Sequence, residues 1–339
     1  MENSQLVNIL NDWRIRINDI NHIKFSELCR KTQAKNGWFT EESIRLAFRG
    51  INRFLDPKKL SKWINGNSAL RQNPKEVGIV MAGNIPIVGF HDMLCTVVTG
   101  HTAQIKLSSQ DDVLIPYIVN LLFDISSEFS DRIRFVNKLK SPQAIIATGS
   151  NNSSRYFEYY FSSVPHIIRK NRTSVGILSG NESKDELYGL GQDILQYFGL
   201  GCRNISKLLV PEKYDFRLFY DTIEPLQPVV LHHKYANNYD YNKSILLINT
   251  LNFLDNGFLL IHESNQLVSP ISVVFYETYK SGKALLSYLD QNKKSIQCVV
   301  SGDDHTPGSI PFGSTQTPEL WDYSDNVNTL EFLLGLHQN

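Results

Sequence analysis

The sequence predicts an α/β protein with parallel sheets, divided into two domains and preceded by a helical segment. Three observations lead there. A chain of 339 residues is longer than one hydrophobic core usually organises. Its first ~75 residues carry helical periodicity and helix caps. From residue 76 onward, short apolar runs alternate with helical stretches, the pattern of a parallel sheet covered on both faces.

Within the first segment, "WFTEESIRLAFRGINRFL" offers Thr40 as a helix N-cap, with Glu41 and Glu42 in the first turn. Acid is favoured there by the helix dipole. Ile44, Leu46, Phe48, Ile51 and Leu55 follow at near-helical spacing. The alternation then begins. "VGIVMAG" (77–83) reads as a strand, "FHDMLCTVVTG" (90–100) as a helix closed by Gly100, and "TAQIKLSS" (102–109) as a strand. "DDVLIPYIVNLLFDISSEF" (111–129) reads as a helix, and "IRFV" (133–136) and "AIIATGS" (144–150) as strands. A helix over "NSSRYFEYYFSS" (152–163), a strand over "SVGILSG" (174–180), a helix over "DELYGLGQDILQYFG" (185–199) and a strand over "SKLLVP" (206–211) complete the regular part. Beyond ~residue 210 the pattern loosens: "HHKYANNYDYN" (232–242) reads as a polar, aromatic loop, "SPISVVFYETY" as a strand entered through Pro270, and "IPFGST" (310–315) as a loop. The expected organisation is a helical segment over 1–75, a first α/β domain over 76–200 and a second over 201–339. Sheets of this kind bind ligands beyond the carboxyl ends of their strands.

Composition narrows the function. Lys+Arg and Asp+Glu are equal at 34 each, which argues against nucleic acid or an anionic membrane as partner. No run approaches the ~18 apolar residues of a membrane helix, and "MENSQLVNILNDWRIRIND" lacks the basic and apolar regions of a signal peptide. Cys29, Cys95, Cys202 and Cys298 are widely spaced with no C-x-x-C pair. Free thiols in a cytoplasmic protein are expected, without a zinc site or disulfide framework.

Among these thiols, Cys202 in "YFGLGCRN" (197–204) stands out. Gly199 and Gly201 flank it and leave backbone N–H groups able to meet a substrate oxygen, while Arg203 is placed to lower its pKa. The competing reading is a small buried hydrophobe. Cys95 lies mid-helix among Met93, Leu94, Val97 and Val98; Cys298 lies in a strand and Cys29 in a helix. Asn84, in "AGNIPIVGFHD" (82–92), projects from a strand's carboxyl end and is able to donate to an oxyanion, or to satisfy a local turn. "IKLSS" (105–109) and "ATGSNNSSR" (147–155) present hydroxyls and amides where helices begin, suited to phosphate or to ordinary capping. A full dinucleotide fingerprint and a Walker A sequence are both lacking. "GLGQDI" (189–194) imitates the opening of the former inside a helical pattern and is discounted. His232, His233 and Asp240 make a poor metal set, so no metal is expected; the histidines suit a substrate-contact wall.

Taken in order, "AGNIP…KLSS…ATGS…GLGCRN…SPI…PFG" resembles the aldehyde dehydrogenase superfamily. Within it the sequence is most similar to the acyl-CoA reductases typified by the fatty-acid reductase of bacterial luminescence, the LuxC family. The likeness is clearest from residue 76 to about 330. It implies an aldehyde-dehydrogenase-like fold of two Rossmann-related domains. It places Cys202 on the acyl-accepting cysteine and Asn84 on the oxyanion asparagine. Lys106, with Ser108 and Ser109 beside it, falls on the cofactor's adenosine ribose or its phosphate, and Gly149 and Ser150 on the turn beside the pyrophosphate or nicotinamide. "SPIS" (269–272), with Pro270, and "PFG" (311–313), with Phe312 and Gly313, match loops lining the nicotinamide end and the active site.

Three departures refine the expectation. The water-activating glutamate of hydrolytic members is missing, because the corresponding stretch is "IRKNRTSV" (168–175). A thioester reductase has no need of it. Ser109 stands where NAD-using relatives often carry Glu, which favours NADPH over NADH. The glutamate expected before "SPI" is replaced by Gln266 or displaced. The implied reaction is reduction of an acyl-CoA to the aldehyde through an acyl-Cys202 intermediate, with an aldehyde dehydrogenase, an acyl-phosphate reductase or a non-catalytic nucleotide-binding subunit as alternatives. The resemblance also implies a homo-oligomer.

Overall fold

The computed structural model describes residues 2–65, 73–302 and 306–338. Four helices come first: α1 (Asn3–Asn18), α2 (His22–Lys35), α3 (Glu41–Phe54) and α4 (Pro57–Asn65). In α3 the Thr40 side chain accepts from Ser43 N, Glu41 and Glu42 occupy the first turn, and Ile44, Ala47, Phe48 and Ile51 are buried. One face of α1 buries Leu6, Leu10, Trp13 and Ile17.

A first sheet follows, built from β1 (Glu76–Val80), β2 (Thr102–Lys106), β3 (Ile133–Phe135), β4 (Ala144–Thr148) and β5 (His166–Arg169) in the order β3-β2-β1-β4-β5. Every pairing is parallel. The crossovers carry α5 (Phe90–Val98), α6 (Leu114–Ile125), α7 (Glu128–Arg132) and α8 (Asn151–Phe161). The central residues of β1, β2 and β4 are buried without interruption, the continuous core expected where helices cover both faces. Trp13 donates to Ile118 O at 2.7 Å and so fastens α1 to α6. The short β5 is absent from the sequence reading, because "HIIR" is too brief to show a pattern.

The second sheet has the order β11-β6-β7-β10-β9-β8. It comprises β6 (Thr173–Ile177), β7 (Ile205–Pro211), β8 (Phe253–Asp255), β9 (Leu260–Glu263), β10 (Val273–Tyr279) and β11 (Ile296–Ser301). Only the edge pair β8–β9 is antiparallel. Its helices are α9 (Lys184–Leu195), α10 (Arg217–Ile223), α11 (His233–Ile248) and α12 (Gly282–Asn292), and α13 (Thr329–Gly335) follows later in the chain.

The structure also differs from the sequence reading in its domain boundary and in one stretch read as a loop. First, the chain forms two compact units, residues 1–171 with 318–339, and residues 172–317. The boundary expected near Cys202 lies at Arg172, because the strand–helix alternation runs from one sheet into the next without a break in texture. Residues 318–339 return to the first unit, where Arg169, 3% exposed, donates to Asp92 Oδ1 at 2.6 Å, Ser324 O at 2.6 Å and Thr329 Oγ1 at 2.9 Å. His101 joins the same segment, donating from Nε2 to Leu333 O and accepting Lys75 N at Nδ1. Burial lowers its pKa to about 4, so it stays neutral. Second, "HHKYANNYDYN" is not a loop but the first part of α11. Its buried residues are Tyr235, Tyr239, Asn242 and Leu246. They recur at helical spacing, but two tyrosines and an amide do not read as a core stripe.

Removing one partner of a buried ion pair leaves the other charged and desolvated. Asp92→Ala should therefore destabilise the first unit by about 3 kcal/mol or more, measured as a lowered urea midpoint followed by tryptophan fluorescence.

Candidate active site

In the first unit, the carboxyl ends of β1, β2 and β4 hold Asn84, Lys106, Ser108, Ser109, Gly149 and Ser150, half of the predicted residues. The β1 loop, residues 81–89, carries Asn84 on its exposed side. Two buried side chains from elsewhere shape this loop. Asn36 donates to Gly83 O at 3.2 Å, and Asp111 Oδ2 accepts from Ile87 N at 2.7 Å. Ile87 has φ +60°, a conformation that a β-branched residue adopts only when its surroundings impose it. The fit is close elsewhere too: a Cβ on Gly83 would lie 2.7 Å from Ser108 Oγ, and one on Gly89 2.4 Å from Met81 Cγ. Ser108 thus packs under the Asn84 loop.

Past β2, an exposed Lys106 borders a cavity of about 570 Å³, which Ser108, Ser109, Asp112, Phe135 and Asn137 help to line. Asp112 is ion-paired with Lys35 at 2.7 Å, so its charge on the cavity wall is compensated. At the end of β4, Ser150 is engaged as the N-cap of α8, accepting from Ser153 N at 3.2 Å. A Cβ on Gly149 would meet Phe157 and Ser153 at 2.9 Å.

The second unit holds Cys202, Pro270, His232, His233, Phe312 and Gly313. Cys202 lies in the turn between α9 and β7, at the amino end of β7, contrary to the expectation that ligand sites gather at carboxyl ends. That turn follows the carboxyl end of α9, whose last carbonyls have no partners within the helix. Asn204 offsets this. Its amide, 2% exposed, donates to the carbonyls of Asp193, Ile194 and Gln196, while its Oδ1 accepts from Gly201 N at 2.8 Å. One side chain thereby caps the helix and fixes the turn. The approach to Cys202 is wound tightly, with Tyr197, Phe198 and Gly199 all at positive φ (50°, 59°, 77°). Behind it, Ser174 Oγ contacts Cys202 O at 3.1 Å and Cys298 Sγ at 2.9 Å.

Exposure separates the four thiols. Cys29 and Cys95 are buried, Cys202 and Cys298 half-buried. Burial pushes the Cys29 thiol up to about 11 and raises that of Cys95 well above its ordinary value, as inert core cysteines require. His232 reaches the Cys202 segment through its ring, 4.4 Å from that of Phe198. It does so from the cap position of α11, not from a loop, and the exposed His233 stacks on it. Pro270 lines a small cavity with Phe198, Gly199 and Tyr235. Among the described residues no cluster of His, Cys, Asp or Glu has the makings of a metal site, and no helix is long and apolar enough to cross a membrane.

Sequence reasoning missed Asp111, Asp193 and Asn204. Asp111 and Asp193 are buried acids that hold segments far along the chain, Asn204 is a buried amide that closes its own turn, and only the glycines of "GLGQD" hinted at close packing.

No protein-family model and no curated protein matches the chain. Solved structures do. An NAD+ complex of an aldehyde dehydrogenase from Bacillus cereus superposes with TM-score 0.62 at 12% identity, over 90% of this chain and 73% of that one. Aldehyde dehydrogenase 21 from Physcomitrella patens, in complex with the reaction product succinate, gives 0.69 at 10% identity over 99% and 84%. An NAD-dependent aldehyde dehydrogenase from Sinorhizobium meliloti gives 0.64 at 12% over 90% and 71%. The fold is that of the aldehyde dehydrogenases. The aldehyde-dehydrogenase-like architecture expected from the motifs is therefore present, although the likeness does not distinguish the LuxC type.

Asp111 yields a pH test. Burial raises its pKa from 3.8 to about 7, opposed by the N–H groups of Ile87 and Leu114 and aided by the nearby Asp112 charge. The folded state then holds a proton that the unfolded chain releases near pH 4, so this group's contribution to stability falls as pH rises from about 4 to about 7. Asp111→Asn keeps an acceptor for Ile87 N without the charge. It should be more stable than wild type at pH 8 by up to a few kcal/mol and nearly equal at pH 4.5, measured by thermal unfolding at both.

Proposed function

We propose that the protein is a nicotinamide-dependent oxidoreductase that reduces an acyl-CoA thioester to the aldehyde through an acyl group carried on Cys202. The observation supporting this most directly is the Cys202 turn itself: a half-exposed cysteine, flanked by glycines and pinned by Asn204, in a chain with the aldehyde dehydrogenase fold. In the proposed chemistry the Cys202 sulfur attacks the thioester carbonyl, the bond to the CoA sulfur breaks, and CoA thiolate departs. The Cys202 backbone N–H donates to the oxyanion, and the resemblance assigns the Asn84 amide the same role; a donor of this kind contributes roughly 3 kcal/mol to transition-state stabilisation. The nicotinamide, when bound, supplies the hydride that converts the thioester to a thiohemiacetal. The sulfur then leaves as aldehyde forms.

The walls of the cavity beside Lys106 suit a dinucleotide's phosphorylated ribose. Lys106 brings positive charge, Ser108 and Ser109 bring hydroxyls, and the one carboxylate, Asp112, is compensated by Lys35. This favours NADPH; NADH remains the alternative. Reduction is preferred to hydrolytic oxidation because no acid occurs in 168–175. In that stretch Arg169 is committed to Asp92 and Lys170 is paired with Glu158 at 2.8 Å. Aldehyde oxidation is the second reading, favoured by the structural neighbours, which are aldehyde dehydrogenases. The chemistry is expected of a protein that lies outside a membrane and acts alone or as a homo-oligomer.

Purified protein should consume NADPH with an acyl-CoA panel and show little NAD(P)+ reduction with the matching aldehydes; the reverse pattern would establish the oxidative reading. Cys202→Ser should abolish labelled acyl-enzyme while dinucleotide binding, followed by fluorescence, persists. Asn84→Ala should slow acylation about 10²-fold. Lys106→Ala should weaken NADPH more than NADH. A Cys202 that reacts with thiol reagents no faster than an ordinary cysteine, with no turnover in any assay, would point to a nucleotide-binding subunit instead.

A further inference from the structure

The discounted "GLGQDI" stretch has a structural role that bears on Cys202. Gly189 and Asp193, four residues apart, share one face of α9, and both meet the 311–315 loop. A Cβ on Gly189 would lie 3.0 Å from Gly313 N and Phe312 C, so the loop backbone rests directly on the helix. Asp193 is 1% exposed. Its Oδ2 accepts from Gly313 N at 2.7 Å, and its Oδ1 accepts from Thr315 N at 3.0 Å and Thr315 Oγ1 at 2.7 Å. Gly313 has φ +80°, which bends the loop so that N–H groups two residues apart converge on one carboxylate. The chain continues toward the cysteine: Thr315 O accepts from Arg203 Nη1 at 3.4 Å, and the Asp193 carbonyl is capped by Asn204, which also holds Gly201 N.

We propose that Asp193 is a positioning residue for Cys202. It fixes the 311–315 loop on α9, and that loop in turn holds the Arg203 guanidinium beside the cysteine turn. The proposal rests on the reading of Cys202 as the acyl acceptor. It gives a reason for burying a carboxylate that a neutral loop anchor would not need: an ionised acceptor makes shorter and stronger bonds to N–H and O–H donors, and holds a loop at the accuracy that attack by a thiolate demands. Burial holds the Asp193 pKa above the ordinary carboxylate value, and the three donors oppose that shift in part.

The test uses the full chain and three perturbations. Asp193→Asn turns a donor toward Gly313 N. Thr315→Val removes the hydroxyl, and Thr315→Ser restores it. Gly189→Ala displaces the loop without removing any hydrogen bond, in a helix whose propensity it improves. The readouts are the pH profile of Cys202 alkylation by iodoacetamide, followed on the Cys202 peptide by mass spectrometry, and the kcat against KM split with acyl-CoA. Asp193→Asn, Thr315→Val and Gly189→Ala should slow Cys202 alkylation at pH 7 at least tenfold and move its midpoint to higher pH. They should lower kcat more than they raise KM, and Thr315→Ser should restore both. If Asp193→Asn does not fold, the Thr315 and Gly189 variants decide. Wild-type alkylation rate and midpoint in the perturbed variants, with only thermal stability reduced, would overturn the proposal. Absence of acyl-enzyme in the wild type would instead overturn the acyl-CoA reading, since alkylation still reports on how Cys202 is held.

Discussion

The second unit depends on how the carboxyl end of α9 is satisfied. A helix leaves its last carbonyls without partners, and here they precede the turn that carries Cys202. Asn204 answers with a single buried amide that collects three of them and, through its other atom, the backbone of Gly201. Without it the helix end would be left unsatisfied. The left-handed run at Tyr197, Phe198 and Gly199 is sustained only because the chain on both sides is held: by α9 before it, and by Asn204 and β7 after it.

The first unit solves a comparable problem with a different residue. Its β1 loop must carry Asn84 outward while Ile87 takes a backbone conformation that its side chain disfavours. Asp111 fixes the Ile87 N–H and Asn36 fixes the Gly83 carbonyl, so the strain is held by buried polar contacts. In both units, then, a loop with a candidate functional group is shaped by a buried polar side chain, from elsewhere in the first unit and from the turn itself in the second. The candidate groups themselves sit at the surface, where they remain accessible. Loops held this way have few conformers, and preorganisation of this kind is what separates a reactive arrangement from a merely compatible one.

Much of this was legible in the sequence. Runs such as "GIV", "AIIA" and "LLV" have one meaning between covering helices, and the strands fell where those runs lie. The Thr40 cap and the burial of Cys95 were equally local facts. What escaped has a common physical character. Helix α11 hides its buried face behind tyrosines and an asparagine, which composition reads as a loop. The domain boundary hides because β5 and β6 are consecutive strands belonging to different sheets. Asp193 and its loop partners are 120 and 122 residues apart, and nothing local in "QDI" reveals a carboxylate buried against a distant backbone. Spacing in sequence shows which residues share a face; it does not show which far segment will supply the donors.

The return of residues 318–339 to the first unit bears on how the polypeptide is made. Synthesis runs from the amino end, so the five-stranded sheet leaves the ribosome long before the segment with Ser324, Thr329 and Leu333 that closes over Arg169 and His101. The intervening 146-residue unit emerges whole in the meantime. The nascent first unit must therefore wait with Arg169 only partly satisfied, and its vulnerability to chaperone capture or proteolysis should be greatest during that interval.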